Sequence, residues 1–171
     1  KKLEAITGKP VTLVRAPSGD YTDQSLDVCK ELNMTMIQWN CDSLDYTKIS
    51  TDEIVHRVVK GTSNGAILLF HNGVENTAPA LDKILTEQPQ LEFVQLQINY
   101  ADWEHPEIES RKCYEVARRH NKPVIIMEPV KGGTLATVPT EAEMVFKDVN
   151  PEASIASWAI RFAASLEGVI T

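Results

Sequence analysis

Apolar residues gather along the chain into short runs rich in β-branched side chains, at residues 11–15, 34–39, 66–71, 93–98, 124–127 and 168–171. Continuous runs of this length, lacking polar alternation, mark strands buried on both faces, as in a parallel sheet covered by helices. Between the runs the apolar positions recur with helical period. Leu26, Cys29 and Leu32 share one face, as do Leu81, Ile84 and Leu85, and again Ile155, Trp158, Phe162 and Leu166. Helix starts are expected where Thr77 can cap ahead of Pro79, and where Asn150 can cap with Pro151 at the first helical position and Glu152 beside the positive end of the dipole. Asn64-Gly65 supplies a left-handed stop before the third strand. Strand and helix alternate about every 25 to 30 residues, the spacing of βαβ units in parallel sheets and barrels. The pattern predicts a single α/β domain over residues 1–171, with parallel strands, alternating helices and about six βα units, part of a TIM-like barrel.

Composition narrows this only a little. A chain of 171 residues is long enough for one domain with a real core, burying roughly 70% of its unfolded surface. With 43% hydrophobic and 24% charged residues the chain matches globular averages, so disorder is not expected. The net charge of −7 argues against nucleic acid or an anionic membrane as partner. No apolar run approaches the roughly 20 residues of a membrane span, and no signal sequence opens the chain. Cys29, Cys41 and Cys113 are odd in number and far apart, with neither disulfide nor zinc spacing. Buried thiols in a reducing, cytoplasmic or recombinant setting are the expectation.

Right-handed crossovers place the C-terminal ends of parallel strands on one rim, where barrels of this kind carry their chemistry. Polar residues just after the strands are Arg15 with Ser18, Asp42 and Asp45, His71 and Asn72, Gln97 and Asn99, and Glu128 with Lys131. Each could equally be a cap or turn former. His56 lies within a helix among valines, and His105 and His120 sit at a loop and a helix end, so packing or solvation is expected of all three.

Three of these rim segments stand in order as motifs: Arg15-Ala16-Pro17-Ser18-Gly19, Asp42-Ser43-Leu44-Asp45-Tyr46 and Leu68-Leu69-Phe70-His71-Asn72-Gly73. From about residue 3 to 85 the chain resembles the C-terminal part of the polysaccharide deacetylase family, distorted barrels that remove N- or O-acetyl groups from sugars. The resemblance implies that His71 is a general acid tuned by Asp45, that Arg15 holds the catalytic base, and that Leu69 and Tyr46 line the substrate pocket. An imidazolium beside a carboxylate stays protonated near neutral pH and can donate to a leaving amine. The family's earlier Asp-Asp motif and its His-x-x-x-His turn have no counterpart here, so no zinc site is expected.

A second set of markers follows: Phe93-Val94-Gln95-Leu96-Gln97-Ile98-Asn99-Tyr100, Met127-Glu128-Pro129-Val130-Lys131-Gly132-Gly133 and the helical stretch 153–164. From about residue 91 to 171 the chain resembles the C-terminal part of the aldo-keto reductases, NADP-dependent (β/α)₈ barrels. The resemblance implies that Gln97 touches the nicotinamide carboxamide and that Glu128, Lys131, Gly132 and Gly133 lie along the cofactor. The family's Asp-Tyr-Lys-His tetrad and the loop that grips the adenine-side phosphate have no match in these residues, so any NADP binding is expected to be weak.

The joint reading is a hybrid, with a deacetylase-like part over 1–85 and a reductase-like part over 86–171, carrying no complete active site of either family. Three functions stand beside each other: an engineered or recombined scaffold without turnover, a remnant acetyl-sugar hydrolase, and a weak NADP-binding, reductase-like protein. An incomplete barrel would expose sheet edges at 11–15 and 168–171, so self-association is the expected partnership.

Overall fold

The computed structural model describes residues 2–170, and its strands and helices alternate along the chain with every strand pair parallel. The strands pair two by two. The continuous sheet expected from the sequence is therefore replaced by three separate parallel pairs. Residues sort into two compact units, one of residues 2–42 and 63–69, the other of residues 43–62 and 70–170.

The first unit holds α1 (Lys2–Thr7), β1 (Leu13–Val14), α2 (Asp23–Glu31), β2 (Thr35–Met36), β3 (Cys41–Asp42) and β4 (Leu68–Leu69), with β1 paired to β2 and β3 to β4. Helix α2 starts where a capping box predicts it should: Thr22 and Ser25 each satisfy the other's backbone N–H. Its expected apolar face is only partly covered, because Leu32 falls at the C-cap and stays exposed while Leu26 and Cys29 are half-buried. Gly19, at φ +68, lets the chain pass so close to Trp39 that a Cβ there would lie 2.5 Å from the indole ring.

The second unit holds α3 (Thr51–Gly61), α4 (Thr77–Glu87), β5 (Val94–Gln97), α5 (Ser110–Arg119), β6 (Val124–Met127), α6 (Thr140–Val149) and α7 (Ile155–Ser165). Strands β5 and β6 pair in register from Val94↔Val124 to Gln97↔Met127. The expected strand at 168–171 reduces to one parallel bridge from Val169 to Val124, and Thr171 lies outside the described residues. One core joins Ala78, Leu81 and Leu85 of α4 to Leu96 and Ile98 on β5 and just beyond it, to Cys113, Val116 and Ala117 of α5, and to Val124 of β6. Each fully buried aliphatic side chain contributes about 1.5–3 kcal/mol. This core thus ties α4, α5, β5 and β6 together within the second unit. Phe162 and Leu166 pack against it from α7 and its end.

Two helix starts differ from the sequence reading. Thr77 is the first residue of α4 rather than its cap, and its hydroxyl is drawn to Asp45 instead. Asn150 closes α6, while Ser154 caps α7 by accepting from the Ser157 backbone N–H. Asn150 still turns the chain, its side chain accepting from the Glu152 N–H at 3.1 Å. The thiols of Cys41 and Cys113 are buried and that of Cys29 is half-buried, none in a disulfide. Burial pushes the Cys113 thiol up to about 11, which removes its nucleophilicity at neutral pH. None of the described helices is long and apolar enough to cross a membrane.

Asp82 of α4 bridges to the end of α5, facing His120 Nε2 at 2.8 Å and Arg119 at 3.2 Å. The His120 hydrogen bond, with help from Arg119, holds the Asp82 carboxyl below its usual range. A carboxyl depressed on folding adds stability above the unfolded value near ~3.9, and loses it as pH falls through the folded value. With Asp82 partly exposed, the pair is worth no more than about 1 kcal/mol. A carbon-detected NMR titration should place Asp82 below the ordinary aspartate range, rising toward it in His120→Ala; an unchanged midpoint would show that the bridge does not form in solution.

Candidate functional site

The second unit places one acid–base pair with care. Asp45 opens a short 3₁₀ turn, Asp45–Thr47, framed by Leu44 and Lys48 at φ 58 and 63. Left-handed conformation costs non-glycine residues energy and clusters at functional turns. The turn aims the carboxylate inward, where its exposure is 0%. Oδ2 accepts from the backbone N–H of His71 and the hydroxyl of Thr77, each at 2.7 Å. Oδ1 accepts from the Tyr46 N–H at 2.9 Å and faces His71 Nδ1 at 2.8 Å. Ser43 Oγ accepts from the Asp45 N–H, completing the cradle. An ionised carboxylate buried to this degree is tolerable only with its lone pairs so satisfied.

His71 is thereby fixed at both backbone and ring. Its side chain remains 42% exposed, and Nε2 has no hydrogen-bond partner among the described residues. The Tyr46 ring meets the imidazole edge-on, with centroids 4.9 Å apart. A histidine with Nδ1 tied to a buried carboxylate and Nε2 left outward is oriented to donate or take a proton there. The loop that carries it is docked on a distant segment: the Gly73 N–H donates to Ile108 O at 3.0 Å, and a Cβ on Gly73 would lie 1.7 Å from Glu107 O. Only glycine fits at this point, with φ +76.

The remaining deacetylase-like positions fall elsewhere. Arg15, Ser18, Asp42 and Leu69 belong to the first unit, Arg15 exposed just after β1 and Leu69 half-buried opposite Asp42 in the β3–β4 pair. Tyr46 stands beside His71. His56 and His105 are exposed, and His120 pairs with Asp82. No cluster of three histidine, cysteine, aspartate or glutamate side chains suited to a metal occurs among the described residues. The described residues therefore offer a zinc ion no three-ligand platform.

The reductase-like positions converge on a residue that the sequence reading missed. Asp102 is fully buried, just beyond β5. Its Oδ2 accepts from Asn99 Nδ2 at 2.8 Å and from Gln97 Nε2 at 3.0 Å, while Oδ1 takes the Lys131 ammonium. Asn99 returns the interaction by accepting the Asp102 N–H at 2.9 Å, and reaches Glu128 O at 3.2 Å. Burial opposes ionisation of Asp102, but the hydrogen bonds from Lys131, Asn99 and Gln97 outweigh it and hold the carboxyl below its usual range. Gln97 and Lys131, the two side chains expected to face a dinucleotide, thus point at a carboxylate of their own chain. Gly132 and Gly133 are exposed at φ 60 and 94, and Met127 is exposed at the end of β6. As arranged, these groups do not fit an NADP phosphate. The sequence signal for Asp102 was the Asn99-x-x-Asp102 spacing, a local side-chain turn of common type.

With this geometry established, comparison with known proteins places the chain twice. The profile described as "Aldo/keto reductase family" matches residues 23–171, and the chain belongs to that family. It is also similar to the peptidoglycan-N-acetylglucosamine deacetylase of Bacillus cereus, 29% identical over 93 residues, 52% of this chain and 33% of the relative. The deacetylase PgdA of Listeria monocytogenes is 32% identical over 98 residues, 56% of this chain and 20% of the relative. The chain thus spans about a third and a fifth of those two lengths. A solved CE4 family pseudoenzyme from Bacillus anthracis is 30% identical, covering 52% of this chain and 31% of its own, with a TM-score of 0.41. Only the first 22 residues precede the reductase match, so a deacetylase alignment covering 52% of the chain must overlap it. The chain carries likeness to both families, consistent with a chimera.

Removing one donor from the Asp45 cradle should be felt in stability. Thr77→Val keeps the shape of a buried side chain but strands one carboxylate lone pair, and should cost about 1.5–3 kcal/mol, the range for hydrogen bonds to charged groups. Urea unfolding of the variant reads this directly; a change within experimental error would show that the hydroxyl does not serve Asp45.

Proposed function

We propose that this chain is a recombined or engineered hybrid whose 171 residues hold no complete active site of either family, and which retains one working acid–base element. The observation that carries the reading is the His71–Asp45 pair, at 2.8 Å with the carboxylate fully buried and the far ring nitrogen outward. The chemistry it supports is proton transfer during acyl transfer, from an attacking water and to a leaving group. The names of the similar proteins point to acetylated amino sugars as the substrate class from which this element descends. In such a step water attacks the acyl carbon, Nε2 takes the water proton, and the same proton passes to the departing oxygen or nitrogen as the acyl bond breaks.

A second reading has one observation in its favour, the family match over residues 23–171, and is NADP binding at Gln97, Glu128, Lys131, Gly132 and Gly133. The engagement of Gln97 and Lys131 by Asp102 makes this site weak in the form described. A partial barrel with unpaired edges, completed by a second copy of the chain, belongs to the same proposal.

Elemental analysis and an ester assay test it together. Purified without an affinity tag, the protein should hold no stoichiometric zinc. It should hydrolyse 4-nitrophenyl acetate slowly, insensitive to chelators, with the rate above background falling at least ~10-fold in His71→Ala, the low side of the general acid–base range. One tightly held zinc per chain that is lost in His71→Ala would overturn the reading in favour of a metal-dependent deacetylase. Hydrolysis indifferent to His71 would show that the pair is structural only.

A further inference from the structure

The Asp102 cluster, which weakens the dinucleotide site of the second reading, has both carboxylate oxygens engaged. A fully buried carboxylate receives three side-chain donors from β5, the segment after it and the turn after β6. Two of those donors, Gln97 Nε2 and Lys131 Nζ, are the groups that the second reading assigns to a dinucleotide. A planar carboxylate with charge −1 accepting from an amide and an ammonium offers both what a phosphate oxygen would. The turn that brings Lys131 in is itself costly. Glu128 and Lys131 stand at φ 57 and 51, ahead of Gly132 and Gly133 at φ 60 and 94. Left-handed geometry disfavours a residue with a Cβ, and at Lys131 it accompanies both the Asp102 contact and the backbone bond from Lys131 N–H to Glu128 O at 3.0 Å. Beyond it the surface is open: a Cβ at Gly133 would meet nothing within 4 Å.

We propose that Asp102 is an internal occupant of the anion position at this turn, a specificity-determining residue that keeps Lys131 and Gln97 from phosphate-bearing ligands. In the present sequence the ammonium is neutralised at close range and its hydrogen-bonding capacity toward an outside anion is reduced. Replacing the carboxylate by an amide of the same shape removes the competing charge, leaves an acceptor for Asn99 and Gln97, and frees Lys131 to swing toward the open side of Gly132–Gly133. The ligand class that such a released site takes is a diphosphate or nucleotide. The proposal rests on the second reading's placement of a ligand at Gln97 and Lys131 and on the Asp102 contacts, so it survives if the His71–Asp45 reading fails, and can fail while that reading holds.

Calorimetric titration of the full chain with inorganic pyrophosphate, and separately with ADP, provides the test. The wild-type protein should bind either no more tightly than Lys131→Met does. Asp102→Asn should gain at least ~10-fold, about 1.4 kcal/mol, and Asp102→Asn with Lys131→Met should lose that gain. A gain for ADP but not pyrophosphate would assign the site to nucleotides; a gain for both would assign it to diphosphate alone, and either supports the proposal. Should Asp102→Asn not fold, the wild-type and Lys131→Met comparison still decides. Tight wild-type binding that Lys131→Met weakens at least ~10-fold would overturn the proposal, since Lys131 would then already be available. Unchanged affinity in a folded Asp102→Asn would overturn it equally.

Discussion

A carboxylate taken wholly out of water must be satisfied on every side, and that demand at Asp45 organises the candidate site. Desolvating an ionised group without partners costs several kcal/mol. Asp45 meets the demand by drawing in a hydroxyl from the start of α4, two backbone N–H groups and an imidazole. These donors come from three stretches of chain, so satisfying one charge fixes the turn after Ser43, the loop at His71 and the first turn of α4 together. The loop is held from its other side by Gly73 against Glu107 and Ile108. His71 is thus oriented by contacts on both sides of its loop, at the Asp45 turn and at Glu107–Ile108.

Asp102 repeats the arrangement with the opposite consequence. There too a buried carboxylate gathers side chains from several segments, Gln97 and Lys131 among them. Around Asp45 the network leaves a reactive nitrogen outward; around Asp102 it turns reactive groups inward.

Much of the fold was legible because it rests on local rules. The apolar runs located the strand pairs, the 3.6-residue period located α4 and α7, and the motifs at Asp45 and His71 lay on neighbouring turns. What the sequence hid depends on tertiary competition. Thr77 reads as a cap because hydroxyls favour helix starts, yet a buried charge outbids the backbone for it. Asn150 reads as a cap for α7, but the chain needs it to close α6, and Ser154 takes the later role. Leu32 fits an apolar face by spacing and falls exposed at the helix end. The strands are shorter than their apolar runs, since a run records burial while pairing needs a neighbour in register. Asp102 escaped notice because nothing within one segment shows that Gln97 and Lys131 converge on it.

The central claim is that His71 is held by Asp45 through Nδ1, with Nε2 left free to exchange a proton. Nitrogen-edited NMR of the full chain, labelled at histidine, tests this directly. The account predicts a slowly exchanging ring proton on Nδ1 of His71, which disappears in Asp45→Ala while the ring protons of His56, His105 and the Asp82-bonded His120 are unaffected. A His71 ring whose two nitrogens exchange alike, or whose protected proton sits on Nε2, would contradict it.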